Sequence, residues 1–188
     1  MARKVNVTKG AQEQAASTGG DYKPLDAGIY NVSVFEAEAT AIKNPASPNN
    51  GVTGARLHLR ISDGQKGANR RLFTSVYDVE RWAPKPGKTE GAVNFLFFQF
   101  YKALGIEFGE GEVELPEIED LQGEELAVKV KIVHDSYAYN KAVKEGTLGA
   151  RTKADFLTNE VSEFLPVQDL DDLEDDTEDA ADEDAFDL

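Results

Sequence analysis

The chain has 188 residues, 29% of them charged, and a formal net charge of −15. That length fits one ordinary domain with some unfolded chain beside it. With no cysteine and only two histidines, His58 and His134, the chain excludes a disulfide scaffold, a thiolate nucleophile and a cysteine-based zinc site. No apolar run reaches the about 18 residues that a membrane helix needs. The N-terminal MARKVNVTKGAQEQAAST carries charge without the apolar centre of a secretory signal. A cytoplasmic setting is expected.

Residues 1–21 are polar and read as a flexible arm, mildly basic at Arg3, Lys4 and Lys9. A folded domain is expected over 22–166. Gly28 to Ile42 reads as the first strand, with Tyr30, Val32 and Val34 on one side and Ile29 and Phe35 on the other. Pro, Asn and Gly in KNPASPNNG mark a loop. In the second strand Ala55, Leu57, Leu59 and Ile61 alternate with Arg56, His58 and Arg60. SDGQKG is a turn built on Asp63-Gly64. The third strand, RRLFTSVYDV, sets Leu72, Thr74 and Val76 against Arg71, Phe73, Ser75 and Tyr77.

ERWAPKPGKTEG is a loop. AVNFLFFQFYKALG has helical spacing, with Val93, Leu96, Phe97, Phe100 and Leu104 as its apolar stripe and Gly105 as its C-terminal cap. Phe95, Phe98 and Tyr101 fall on other faces, suited to a barrel end or a subunit contact. In LQGEELAVKVKIVHD, Leu126, Val128, Val130 and Ile132 oppose Lys129 and Lys131. SYAYNKAV is read as the next strand and EVSEFLPV as the closing one. Three strands, a helix and two or three further strands predict a mainly β protein. The expected form is a five-stranded OB-fold-like antiparallel barrel with one helix between strands 3 and 4. A β-sandwich with one packed helix is the alternative.

From Asp169 to Leu188 there are twelve acids and no base, so residues 167–188 are expected to be a disordered, self-repelling tail. Phe186 and Leu188 stand at its end. Charge is segregated in the body too. Arg56–Lys88 carries eight basic and three acidic residues, and Lys129–Lys153 six and two, while Glu107–Glu125 holds nine acids and no base. An acidic protein of this kind can present a basic surface.

Catalysis finds little support. GxxxxGK[ST], HExxH and a nucleophile elbow are absent. His58 lies among arginines and His134 at a strand end, neither beside a nucleophile. The tail lacks the glycine and spacing of an EF-hand. No enzyme activity, metal or cofactor is expected. Arg56, Arg60, Arg70, Arg71, Phe73 and Tyr77 instead mix cations with rings on adjoining strands, which suits unpaired nucleic acid: phosphates meet the cations and bases stack on the rings. Lys129, Lys131, Trp82, Tyr137, Tyr139 and Lys141 extend the same mixture. Phe73, Tyr77 and Trp82 can equally be core residues.

DYKPLDAGIYNVSVFEAEA, LHLRISDGQKGANRRLFTSV, FYKALG and LQGEELAVKVKIVHDSYAYNKAV, in that order, resemble a family of phage single-stranded-DNA-binding proteins. The resemblance spans roughly residues 22–166 and the character of the tail. It implies an OB-fold that binds single-stranded DNA in replication or recombination. It also implies an acidic tail, here Asp182, Glu183, Asp184, Phe186 and Leu188, that competes with DNA and recruits replication or recombination proteins. The last residues are Ala-Phe-Asp-Leu, so the aromatic residue is not terminal as in the familiar tails. A homo-oligomer fits this role, no membrane is involved, and the setting would be a host cytoplasm. The alternative is a small β-barrel interaction or virion component whose tail mimics DNA.

Overall fold

The structure is a computed structural model that describes residues 23–170. The arm over 1–21 and the tail residues Asp182, Glu183, Asp184, Phe186 and Leu188 lie outside the described residues. Five strands form one antiparallel sheet: β1 (Gly28–Ala41), β2 (Thr53–Ile61), β3 (Arg71–Tyr77), β4 (Glu125–His134) and β5 (Leu157–Leu165). Helix α1 (Phe95–Ala103) follows β3, and helix α2 (Ser136–Glu145) lies between β4 and β5. Among the described residues, no helix is long and apolar enough to cross a membrane.

The sheet order is β3-β2-β1-β4-β5. The long β1 serves two partners. Its first half pairs with β4 and its second with β2, and Val32 and Ser33 pair with both. Apolar residues at period two drive this arrangement. Tyr30, Val32, Val34, Leu57, Leu59, Ile61, Leu72, Val76, Leu126, Val128 and Val130 all turn to one side and are buried. Each such burial stabilises the fold by roughly 1.5–3 kcal/mol.

The expected closed barrel is corrected to an open sheet. Strands β3 and β5 come near one another, yet no ladder joins them. Helix α1 contacts both edges. Its Phe97, Phe100 and Tyr101 are buried, with Phe100 packed on Phe164 of β5 at 5.1 Å between centroids. Side chains of a helix thus fill the mouth of the sheet. Tyr101, which the helical stripe left out, is only 2% exposed and donates its hydroxyl to Asp78 Oδ1 at 3.0 Å. Loss of hydration raises both groups above their ordinary values, and the Tyr101 hydrogen bond opposes this for Asp78.

α1 is also shorter than its apolar stripe predicts. Val93 forms a bridge with Arg81, and Asn94 spends its amide on the Tyr77 and Val79 carbonyls, at 3.0 and 3.1 Å. The segment SYAYNKAV is a helix and not a strand. Asp135 caps it by accepting from the Ala138 N–H at 2.8 Å, and Gly146 ends it in the left-handed region at φ 68°. Those two caps outweigh the β tendency of its tyrosines.

Candidate nucleic-acid interface

The side of β1, β2 and β3 that faces away from the core carries the basic and aromatic side chains. Alternation in β2 exposes Arg56 and Arg60 and leaves His58 half-buried. Alternation in β3 exposes Arg71 and Phe73 and leaves Tyr77 half-buried. The register sets Arg60 opposite Arg71, His58 opposite Phe73 and Arg56 opposite Ser75. Two like charges directly opposed on neighbouring strands repel each other.

Phe35 offsets that repulsion. It is the extra residue of a β-bulge, because Val34 pairs with Leu59 and Glu36 with His58. The bulge turns the Phe35 ring toward both arginines. The Arg71 guanidinium lies 4.4 Å from the ring centroid and that of Arg60 5.3 Å. Neither arginine reaches a carboxylate among the described residues. The neighbouring acid, Glu36, is taken by His58 Nδ1 at 2.8 Å. His58 in turn meets the Phe73 ring edge-on at 4.8 Å. Phe73 remains 61% exposed. Two guanidiniums with spare donors beside an open ring suit a phosphate and the base attached to it.

Tyr77 and Trp82 mark the far end of β3 and meet edge-on at 5.8 Å. Trp82 is half-buried in a hairpin-like loop, where its backbone N–H donates to the Ala92 carbonyl at 2.9 Å. The Ala83 N–H donates to Asn49 Oδ1 at 2.7 Å, so the preceding β1–β2 loop steadies this one. The loop closes only because residue 91 is glycine. A Cβ there would stand 1.5 Å from the Trp82 carbonyl oxygen.

The other predicted residues divide. Arg70 donates to the Lys23 carbonyl at 2.7 Å and holds the chain entry, apart from the Arg60–Arg71 pair. Lys129 is engaged by Glu163 at 3.6 Å, and Lys131 stands opposite Glu160, so β4 and β5 carry balanced charge. On α2, Tyr137 is 79% exposed and Lys141 is exposed one turn further on. Tyr139 is a packing residue, set between His134 at 5.9 Å and Phe156 at 5.6 Å.

Two residues outside the predicted set lie within the same cluster of side chains: Phe35 and His58. Their side of the strand follows from alternation. Their contacts follow only from the bulge and the β1–β2 register. Gln168 is bonded to Asn31 on the outer side of β1, two residues from Ser33, the partner of Arg60. No protein-family model matches the chain, and no curated protein matches it.

Proposed function

We propose that this protein binds single-stranded DNA without sequence preference and serves phage DNA replication or recombination, as its resemblance implies. The observation that carries this reading is the Arg60–Arg71 pair, which lacks an acidic partner among the described residues and lies on Phe35 beside the open ring of Phe73. Guanidiniums neutralise phosphates of any sequence. A ring stacks on any base for roughly 1–3 kcal/mol. Both interactions require strands that are not paired.

The strand order, with a helix between the third and fourth strands, supports reading the sheet as an OB-fold variant that stays open between β3 and β5. In that fold the β2–β3 face takes oligonucleotides. Arg56, Tyr77 and the Trp82 loop lengthen the track, and Tyr137 and Lys141 add a second contact. The tail, starting at Asp169 beside this face, acts as a tethered competitor. Its twelve carboxylates stand in for phosphates until DNA displaces them. The freed end, with Phe186, then meets a replication or recombination partner.

A gel shift with an unstructured oligonucleotide and its duplex form tests the reading. The single strand is retained and the duplex is not. Removal of residues 169–188 tightens binding at low salt. Retention of neither form returns the protein to the interaction or virion role.

A further inference from the structure

A second surface lies apart from the arginine face. Phe97, Phe98 and Phe108 pack ring against ring, with centroids 5.1, 5.5 and 5.0 Å apart. They line an open groove of about 520 Å³ between α1 and the loop that follows it, together with Val113 and Leu115. Glu80 and Glu110 stand on its rim. The loop also carries Glu107, Glu112 and Glu114, and no base occurs between residues 107 and 125. An apolar floor within an anionic rim selects an extended segment with apolar side chains between cations. The acidic tail is repelled from it.

We infer that residues 3–9 of this chain, Arg-Lys-Val-Asn-Val-Thr-Lys, occupy the groove. Val5 and Val7 stand two positions apart, the spacing that would put both on one side if the segment docks extended. Arg3, Lys4 and Lys9 flank them, and the segment has no acid. The chain between Lys9 and Lys23 reaches about 46 Å when extended. That exceeds the width of about 40 Å expected for a domain of this size. That length serves the groove of the arm's own chain where the path is short and that of a neighbouring copy where it is long. This inference stands whether or not the arginine face binds DNA.

The absence of cysteine makes the test clean. Gly109, on the groove's lip, has open space where a Cβ would stand and accepts cysteine. The full-length double variant V7C/G109C is oxidised mildly and compared with V7C/K144C, whose second thiol lies on α2. The expected disulfide forms about tenfold faster in the first variant, because docking raises the local thiol concentration. A compact monomer on a gel marks the chain's own groove and a covalent dimer marks a neighbour's. Adding K4E and K9E removes the advantage, and adding E110K and E112K to that variant restores it. Equal rates for the two pairs, or a rate indifferent to both charge changes, would overturn the inference.

Discussion

Asn31 and Gln168 hold each other by two hydrogen bonds. Asn31 Nδ2 donates to the Gln168 carbonyl at 2.7 Å, and the Gln168 backbone N–H donates to Asn31 Oδ1 at 2.9 Å. A side-chain amide here imitates a strand partner. Gln65 does the same from the other flank, accepting from the Asn31 N–H at 2.9 Å and donating to its carbonyl at 3.0 Å. Asn31 is consequently only 7% exposed although it faces away from the core. Asn31→Ala strands the Gln168 peptide and lowers stability by about 1–3 kcal/mol. Urea denaturation measures the loss, which persists in a chain ending at Gln168 because the acidic residues take no part in the pair.

Phe73 is expected to act on DNA and not on folding. It is largely exposed on an edge strand, so Phe73→Ala changes stability by less than about 0.5 kcal/mol. Affinity for a single strand falls by about 1–3 kcal/mol. The salt dependence stays as it was, since no cation is removed. Paired urea and anisotropy titrations separate the two effects. Unfolding by this substitution would mean that the ring is structural.

Gly91 tests the Trp82 loop. A methyl group at residue 91 cannot coexist with the Trp82 carbonyl. Gly91→Ala therefore forces the loop away from Tyr77. The chain has a single tryptophan, so its emission reports the loop alone. A red shift in the folded variant is expected, with weaker DNA binding and an intact β-sheet signal in circular dichroism.

Asp78 sets a pH dependence of unusual sign. Its carboxyl is held above the ordinary 3.8 by loss of hydration. Such a group stabilises the fold when protonated. That contribution is complete below 3.8 and is lost as pH rises through the folded value. Asp26, lowered chiefly by its hydrogen bond with Lys66, and Asp155, lowered chiefly by the Thr152 backbone, run the opposite way. Asp78→Asn keeps an acceptor for Tyr101 and removes the charge. The variant should match or exceed the parent in stability at pH 7 and lose its advantage in acid. Urea midpoints across pH check this.

Much of the sheet was legible because Leu57, Leu59 and Ile61 can share a side only if Arg56 and Arg60 take the other. The site's centre was not. Phe35 meets Arg60 and Arg71 through one inserted residue, and alternation alone does not reveal a bulge. The pairing of Lys129 with Glu163 is not visible in the sequence, because the two are 34 positions apart and meet only through the β4–β5 register. α2 reads as a strand in the sequence because two tyrosines at period two resemble a β face, whereas Asp135 and Gly146 cap a helix. The sheet stays open with α1 set between its two edge strands, and no local pattern encodes that.

Anisotropy titrations of a labelled unstructured oligonucleotide across a salt series, for the parent and for Arg60→Ala/Arg71→Ala, probe the arginine pair itself. The parent should bind, with log affinity falling linearly with log salt. The double variant should remain folded and shed about 1.4 from that slope, or about 0.7 for each phosphate no longer neutralised. A folded double variant with the parent's slope and affinity would contradict the assignment, as would a parent that leaves the oligonucleotide free at low salt even without its tail.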